Sequence, residues 1–273
     1  MVNLICPVRQ CGEPLERRER SWVCPRGHAF DVARNGYVNL LQPRDRRSKN
    51  PGDPREAVEA RRRLLDAGYG EALLQAILDE IPSAASSVLD VGCGEGYYLG
   101  GIARLRPVEA HGIDLSTPAI ELAARRYPEA TWVVGNADRF LPYSTGSFDR
   151  MLSIDARLNP EEMRRVLKPE GRLVVAVPGA DDLIELREAV LGEGLLKDRM
   201  ERAATLLAEG FELEARRAVR GRTTLDADAV RDALAATYRG GRESRRERIE
   251  GLAGLEVTLS HEVARFRPRG TVG

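Results

Sequence analysis

Four residues near the start of the chain are of types that bind a metal ion, and they fall in two pairs. They follow the pattern Cys-x4-Cys-x12-Cys-x3-His and are Cys6, Cys11, Cys24 and His28. Two ligand pairs about a dozen residues apart are typical of a closed tetrahedral zinc site with three thiolates and one imidazole. A segment of ~40 residues buries too little apolar surface to fold alone, so a metal ion would stabilise it. With no open coordination position, the zinc would be structural rather than catalytic. The alternative is that these are ordinary small core residues.

A second group of residues with chemical potential lies in VLDVGCGEGY (88–97), where an apolar run ends in a glycine-rich turn. The turn follows the pattern Asp-x-Gly-x-Gly-x-Gly, formed by Asp90, Gly92, Gly94 and Gly96. Glycines allow positive φ angles and let the backbone approach a ligand closely. A GxGxxG dinucleotide loop would have glycine in place of Tyr97, and Glu95 would repel a pyrophosphate at the following helix. The turn therefore favours a ligand that carries positive charge, such as a sulfonium with an amine.

Acidic residues also follow the next two apolar runs. Asp114 ends EAHGID (109–114), where a carboxylate can accept hydrogen bonds from both hydroxyls of a ribose. Asp138 comes after TWVVG (131–135) and Ala137, where a carboxylate can hold the amino group of adenine. The turn and the two acids together predict a pocket for a cationic adenosine derivative. A glycine turn on a generic doubly wound fold is the alternative.

The elements that must position these residues alternate along the chain. Strands are predicted at 88–92, 109–114, 131–135, 148–154 and 172–178, and the helices between them at 97–105, 117–127 and 160–167. This alternation indicates an α/β fold with a mostly parallel sheet and right-handed crossovers. Beyond it we predict a helix at 181–207, a strand at 211–219, a helix at 226–236 and a strand at 255–266. The two late strands would close the sheet as an antiparallel pair.

Three regions of the chain differ in composition and in predicted secondary structure. We predict a zinc-binding module over 1–42, a linker and helical segment over 43–85, and the α/β domain over 86–273. Asp53 is the expected cap of the linker helix, with Pro54 in its first position. Of the 273 residues 42% are hydrophobic, which excludes bulk disorder. No apolar run approaches the ~20 residues of a membrane span, and residues 1–10 lack the layout of a secretory signal, so we expect a cytoplasmic protein.

Charge is balanced overall but unevenly distributed. The chain has 42 basic and 42 acidic residues, whereas residues 1–63 hold 14 Lys or Arg against 8 Asp or Glu. Almost all the basic residues are arginines, which pair with phosphate in a fork and stack on bases, and this suits nucleic acid. The residues expected to line an RNA-facing cleft are Arg44, Arg46, Arg47, Lys49 and Arg61 to Arg63, extended by Arg216, Arg217, Arg220 and Arg222. Solvated helix faces are the alternative for any one of them.

The sequence resembles the RlmA/TlrB family of 23S ribosomal RNA guanine-N1 methyltransferases over nearly its whole length. The resemblance is carried by HAFDVARNGYVNLL (28–41), NPGDPREAVEARRRLLDAGYGEAL (50–73), VLDVGCGEGYYL (88–99) and RRVLKPEGRLVVAVPGADDLIEL (164–186). It implies a Rossmann-like class I methyltransferase fold, with a mostly parallel seven-stranded sheet and a small N-terminal zinc-binding module. It also implies S-adenosylmethionine (SAM) as methyl donor, a guanine in a hairpin loop of 23S ribosomal RNA as acceptor, and a zinc module that aids RNA recognition.

Carried over residue by residue, the resemblance implies that the four Cys and His residues bind zinc. The predicted SAM-binding residues are Tyr69, Asp90, Gly92, Gly94, Glu95, Gly96, Asp114, Leu115, Ala137, Asp138 and Asp182. Tyr69 is the nearest match to an aromatic residue of the linker helix that reaches the cofactor in the family. Two departures fall near the acceptor: Asp155-Ala156-Arg157 replaces an Ala-Pro pair after the fourth strand, and Asp182 replaces a histidine after the fifth.

Asp155 is the predicted catalytic base, because it follows the fourth strand at the carboxyl edge of the sheet and guanine must lose its ring proton. A helix-capping or solvated role is the alternative for Asp155, and His111 and His261 are expected to be structural. We expect 23S ribosomal RNA or the large-subunit particle as partner, no membrane, and a homodimer as one assembly to test. Two other functions stay open: a SAM-dependent methyltransferase acting on a small molecule, and a non-catalytic RNA-binding relative.

Overall fold

A computed structural model of the chain describes residues 2–9, 11–43, 52–192, 198–237 and 254–270. Its N-terminal part contains a three-stranded antiparallel sheet formed by β1 (Glu16–Arg18), β2 (Ser21–Val23) and β3 (Ala29–Asp31). The side chains of these strands are exposed or half-buried. This small sheet therefore has no apolar core of its own, which is the condition under which a metal ion stabilises a module.

The rest of the chain is built on one eight-stranded sheet. Its strands are β4 (Val38–Asn39), β5 (Ser87–Val91), β6 (Glu109–Asp114), β7 (Thr131–Val134), β8 (Phe148–Ile154), β9 (Leu167–Pro178), β10 (Phe211–Leu225) and β11 (Leu255–Pro268). They lie in the order β10-β11-β9-β8-β5-β6-β7-β4, and only β10 and β11 run antiparallel to their neighbours. This confirms the mostly parallel α/β fold and its seven predicted strands. The central strand β5 is buried along its whole length, as a parallel strand covered on both faces must be.

The eighth strand, β4, comes from the N-terminal module and was not predicted. It pairs in parallel with the edge strand β7, and the N–H of Leu40 donates to the carbonyl of Val134 at 2.9 Å. Leu4 forms a further bridge with Tyr143, and both side chains are buried in one core. Two residues are too few for a periodic strand signal, so only the folded chain reveals this pairing. The zinc module is thus docked on the sheet edge, while the division at 42 and 85 stays a prediction.

Helices cover both faces of the large sheet. They are α1 (Arg55–Asp66), α2 (Glu71–Asp79), α3 (Tyr97–Leu105), α4 (Thr117–Arg126), α5 (Pro160–Val166), α6 (Ile184–Leu191), α7 (Arg199–Leu207) and α8 (Ala227–Thr237). The single helix predicted at 181–207 is wrong. Gly192, with φ of 75°, ends α6 in a left-handed cap, and the Asp198 side chain accepts the N–H of Glu201 at the start of α7.

The expected cap of α1 is also wrong. Pro54 occupies the cap position without a side-chain hydrogen bond, and Asp53 binds the side chain of Arg61 within α1 instead. None of the helices in the described ranges is long and apolar enough to cross a membrane.

Candidate zinc centre and cofactor site

The four predicted zinc ligands come together in space, with ligand atoms all within 4.8 Å of one another. Cys11 Sγ lies 3.8 Å from Cys24 Sγ, and His28 Nδ1 lies 3.4 Å from Cys6 Sγ and 3.3 Å from Cys24 Sγ. In a tetrahedral zinc site with Zn–S bonds of ~2.3 Å and Zn–N bonds of ~2.1 Å, neighbouring ligand atoms are ~3.6 to 3.8 Å apart. The donor set therefore fits zinc, and four protein ligands make the site structural.

Tight backbone turns hold each ligand pair. In the first pair the N–H of Cys11 donates to the carbonyl of Val8 at 2.9 Å, so a turn takes up the longer spacing. In the second pair the N–H of Cys24 donates to the carbonyl of His28 at 3.0 Å. Burial opposes ionisation of Cys24, but hydrogen bonds from the backbone of His28 and Arg26 outweigh it and lower its pKa to about 7. Donors aimed at this sulfur favour the thiolate that zinc requires.

The glycine turn after β5 has a backbone that other residues would not tolerate. Gly92 and Gly96 have φ angles of 76° and 79°. A Cβ at Gly92 would lie 2.4 Å from the Cβ of Ala156, and one at Gly96 would lie 2.5 Å from the ring of Trp132. Both positions therefore need glycine for conformation and for space. We call residues 92–96 the glycine loop.

Asp114 connects the end of β6 to the glycine loop. One carboxylate oxygen accepts the N–H of Gly94 at 2.9 Å and the other accepts the N–H of Ser116 at 2.7 Å. Leu115 between them is half-buried against the core. Since β5 and β6 are parallel neighbours, their ends meet at one edge of the sheet, which brings these predicted site residues together. Each oxygen of Asp114 keeps a second lone pair for a hydroxyl donor.

Three acidic side chains, those of Asp90, Glu95 and Asp114, lie around the glycine loop. Asp90 is 1% exposed and Glu95 is 6% exposed, and the charges of Asp114 and Glu95 act on Asp90. Burial, followed by the charges of Asp114 and Glu95, raises the pKa of Asp90 to about 8. Among the described residues Asp90 Oδ1 has no hydrogen-bond partner. A positively charged ligand would favour the ionised form of this buried acidic group, which agrees with the sequence interpretation.

Arg61 of α1 lies against the glycine loop, which the sequence did not predict. Its Nε donates to Glu95 at 3.0 Å and its Nη1 to Asp53 at 3.1 Å. The expectation that Arg61 faces RNA is therefore corrected, because its guanidinium balances the buried carboxylate of Glu95. The segment before α1 is held here too, since Ser116 Oγ donates to the carbonyl of Asp53 at 2.7 Å. No local pattern in the sequence could have indicated this pairing.

The loop that follows β7 contains Ala137 and Asp138. The side-chain amide of Asn159 donates to the carbonyls of Ala137 and Asp138, at 3.2 and 3.1 Å. The Asp138 carboxylate pairs with Arg157 at 3.2 Å, in a largely exposed contact. The loop after β7 is therefore attached to the segment after β8, and a role of Asp138 toward adenine stays a prediction.

A second acidic cluster lies at the ends of β8 and β9. Asp155 follows β8 with a φ of 53°, a left-handed conformation that costs energy in a residue with a side chain. Its Oδ2 is 3.4 Å from Nε2 of His261, and Asp182 Oδ1 accepts the N–H of Ser260 at 2.9 Å. The structure therefore groups Asp182 with Asp155 and His261. The next residue, Ala156, packs against Gly92, since a Cβ added to that glycine would meet the Cβ of Ala156. Ala156 therefore connects this cluster to the glycine loop.

Comparisons with known proteins agree with both halves of the molecule. Residues 4–49 match the family described as the N-terminal zinc ribbon of RlmA, and residues 88–171 match a methyltransferase domain. The 23S rRNA (guanine(748)-N(1))-methyltransferase of Streptomyces fradiae is 36% identical to this chain, over 97% of this chain and 96% of that protein. This chain belongs to the RlmA/TlrB family of 23S ribosomal RNA guanine-N1 methyltransferases.

Further relatives of this methyltransferase agree with that membership. YxjB of Bacillus subtilis, provisionally named a 23S rRNA (guanine-N(1)-)-methyltransferase, is 35% identical over 67% of each chain. Among solved structures, YcgJ of Bacillus subtilis has a TM-score of 0.53 and 17% identity, covering 72% of this chain and 98% of that one. A chain from the complex of the Haloferax volcanii Trm112 methyltransferase activator has a TM-score of 0.54 and 16% identity, covering 80% and 99%. These structures share the fold alone.

Tyr69 of this methyltransferase lies beside the linker helix. Its hydroxyl donates to the carbonyl of Thr224 at 3.5 Å, and its side chain packs against the buried cluster that includes Leu225 and Val230. The neighbouring residue Gly70 is the one that approaches α3, since a Cβ there would lie 3.1 Å from Tyr97. The predicted contact of Tyr69 with the cofactor stays a prediction.

Most arginines predicted to face RNA form ion pairs with acidic side chains of the same chain. The pairs are Arg62–Asp66, Arg63–Asp232, Arg216–Glu262, Arg217–Asp79, Arg220–Asp181 and Arg222–Glu256. Partly exposed pairs of this kind contribute little to stability, and a contact of these arginines with RNA stays a prediction. The other four predicted RNA-facing residues, Arg44, Arg46, Arg47 and Lys49, lie outside the described residues.

Proposed function

We propose that this chain transfers a methyl group from SAM to N1 of a guanine in a hairpin loop of 23S ribosomal RNA. The observation that carries the proposal is the 36% identity to the Streptomyces fradiae enzyme across both the zinc module and the methyltransferase domain. The glycine loop after β5 and the acidic side chains around it support the same function. The buried Oδ1 of Asp90 has no hydrogen-bond partner among the described residues, which fits a ligand that carries positive charge.

The residues around the glycine loop would hold the donor. Asp114 would accept the ribose hydroxyls, while Asp90 and Glu95 would balance positive charge. Leu115, Ala137 and Asp138 would surround the adenine, and Tyr69 and Asp182 complete the predicted set. When bound, SAM supplies a methyl carbon on a positively charged sulfur. Holding that carbon in line with the acceptor is the main task of the pocket, because alignment provides most of the acceleration in such a displacement.

Asp155 would prepare the acceptor. The N1 atom of guanine carries a proton and has no free lone pair until that proton leaves, so a base must be close to it. Asp155 follows β8 and precedes Ala156, which packs against Gly92 of the glycine loop. The side chain of Asp155 is 47% exposed. A target base that has left its stack can therefore reach it, and unstacking is easy in an RNA loop.

The partner would be 23S ribosomal RNA, free or in a large-subunit particle, and the site of action the cytoplasm. The zinc module, held at the sheet edge through β4, would present the RNA loop to the pocket. A homodimer stays a prediction that sedimentation of the zinc-loaded protein tests.

The test is methylation of 23S ribosomal RNA that lacks its own modification, with labelled SAM and zinc-loaded protein. A methyl group on guanine N1 blocks Watson–Crick pairing, so it stops reverse transcription and is identified by mass spectrometry of the digested RNA. Asp114→Ala serves as the donor-site control and should lose activity. Label in a small metabolite would support the small-molecule alternative. RNA binding without label transfer would mean a non-catalytic relative, and either result would overturn the proposal.

A further inference from the structure

His261 of β11 contacts the predicted catalytic base, although the two residues are 106 positions apart. Its Nε2 lies 3.4 Å from Asp155 Oδ2, and its side chain is 22% exposed against 47% for Asp155. The imidazole is therefore the less exposed member of this pair. The sequence predicted a structural role for His261. Such a role does not explain why its partner, Asp155, has a strained backbone conformation. Asp155 has a φ of 53°, and such conformations gather at functional sites.

The charges around His261 come from three other elements. Asp155 follows β8, Asp182 follows β9 and Arg199 belongs to α7. Burial works against the charged imidazole, but the hydrogen bond to Asp155 and the two carboxylates outweigh it and raise its pKa above the usual 6.5. Tyr98 of α3 lies near Asp155 as well, and burial, followed by the Asp155 charge, raises the pKa of its phenol, so it stays neutral.

We propose that Asp155 and His261 form a proton relay in which Asp155 takes the N1 proton of guanine and passes it to His261. This inference rests on the proposed function and extends it to a residue that does not touch the substrate. A carboxylate alone is a weak base for a proton held as firmly as that of guanine N1. A neighbouring imidazole removes the proton from the carboxyl group at once, and its basicity suits neutral pH.

The step balances in protons and charge. The N1–H bond breaks as an O–H bond forms on Asp155, and N1 keeps the electron pair. With that pair N1 would bond to the methyl carbon as the carbon–sulfur bond of the donor breaks, and the pair of the broken bond would stay on sulfur. The O–H bond of Asp155 then breaks as an N–H bond forms on Nε2 of His261. Asp155 is then a carboxylate and His261 an imidazolium. Their opposite charges attract each other until the imidazolium releases the proton to water. His261 acts through Asp155 and is therefore a positioning residue.

The first experiment measures single-turnover methylation across pH 5.5 to 9, with saturating SAM and RNA. The relay needs Nε2 of His261 free, so the wild-type rate should rise with pH through the pKa of His261 and then level off. His261→Gln should lower the plateau rate about tenfold or more and remove the levelling, so that the rate climbs until guanine itself ionises. Glu262→Gln is the matched control on the same strand. Its carboxylate pairs with Arg216, and the wild-type profile should persist.

A second measurement does not depend on turnover. NMR titration of the histidine side chains follows the pKa of His261, whose signals are those missing from His261→Gln. Asp155→Asn should lower that pKa by about one unit, because the imidazolium loses its partner, while Glu262→Gln should leave it unchanged. Affinity for S-adenosylhomocysteine, measured by calorimetry, should be the same in all four proteins, which separates proton transfer from donor binding.

The outcomes separate the relay from the function on which it rests. If wild type methylates guanine N1 and His261→Gln keeps its rate and its pH profile, the relay is wrong and the function stands. An unchanged His261 pKa in Asp155→Asn also overturns the relay. If wild type methylates no guanine N1, the proposed function fails and the relay fails with it.

Discussion

Replacing Asp90 with asparagine should stabilise the donor-free protein, and by more as the pH rises. Asp90 is 1% exposed at the end of β5, and burial with the charges of Asp114 and Glu95 raises its pKa from 3.8 to about 8. The fold therefore prefers the protonated carboxyl group. Below pH 3.8 the Asp90 carboxyl is protonated in both the folded and the unfolded chain. Its contribution to the free energy of unfolding is therefore fully present. Between pH 3.8 and about 8 the unfolded chain releases the proton and the folded chain keeps it, so stability falls.

The size of the effect follows from about 1.4 kcal/mol for each pH unit in that interval. Asparagine has nearly the same shape as aspartate and no charge, so the variant does not lose this stability as the pH rises. The free energy of unfolding of Asp90→Asn should exceed that of wild type by ~2 kcal/mol at pH 5 and by ~4 kcal/mol at pH 7. Comparing the two proteins at each pH cancels the contributions of the groups that do not interact with Asp90.

Urea unfolding of zinc-loaded, SAM-free protein at pH 5 and pH 7 measures both differences. The same variant should bind SAM more weakly, because a cationic donor favours the ionised carboxylate that asparagine cannot supply. It should bind S-adenosylhomocysteine, which lacks the sulfonium charge, with a smaller loss. A stability difference that is equal at the two pH values, or that favours wild type, would show that Asp90 is ionised in the folded protein and would refute the electrostatic account of the pocket.

Three further predictions follow from the same contacts. Removing zinc with a chelator should lower the free energy of unfolding by several kcal/mol, since the three-stranded sheet has no core; thermal unfolding before and after zinc is restored measures this, and an unchanged Tm would contradict it. Arg61→Gln should cost ~2 kcal/mol by leaving Glu95, which is 6% exposed, without its partner, and Glu95→Gln added to it should recover part of the loss in urea unfolding. Gly96→Ala should cost ~3 kcal/mol or more, because its φ is 79° and the new Cβ would meet Trp132; wild-type stability with full SAM affinity would contradict the packing reported for the glycine loop.

Local patterns in the sequence were sufficient to predict the zinc ligands, a mostly parallel sheet and the position of Asp114 beside the glycine loop. The zinc ligands lie within 23 consecutive residues, and turns held by short backbone hydrogen bonds bring them together. The alternation of strands and helices determines a parallel sheet, and parallel strands bring the ends of β5 and β6 to one edge. Each of these features depends on neighbours in the chain or on a general rule of topology, so spacing and residue type predict it.

The partners of the charged side chains were decided by the tertiary structure. Arg61 pairs with Glu95 across 34 residues, and Asp155 meets His261 across 106. An arginine on a polar helix face has the same sequence pattern whether it contacts a carboxylate, a phosphate or water. The sequence around a histidine in an alternating strand likewise does not indicate which residue it contacts in the folded protein. The choice among partners depends on which loops the folded sheet brings within a few ångströms. The sequence therefore determines the metal site and the glycine loop, while the packing of distant segments determines which charged side chains meet there.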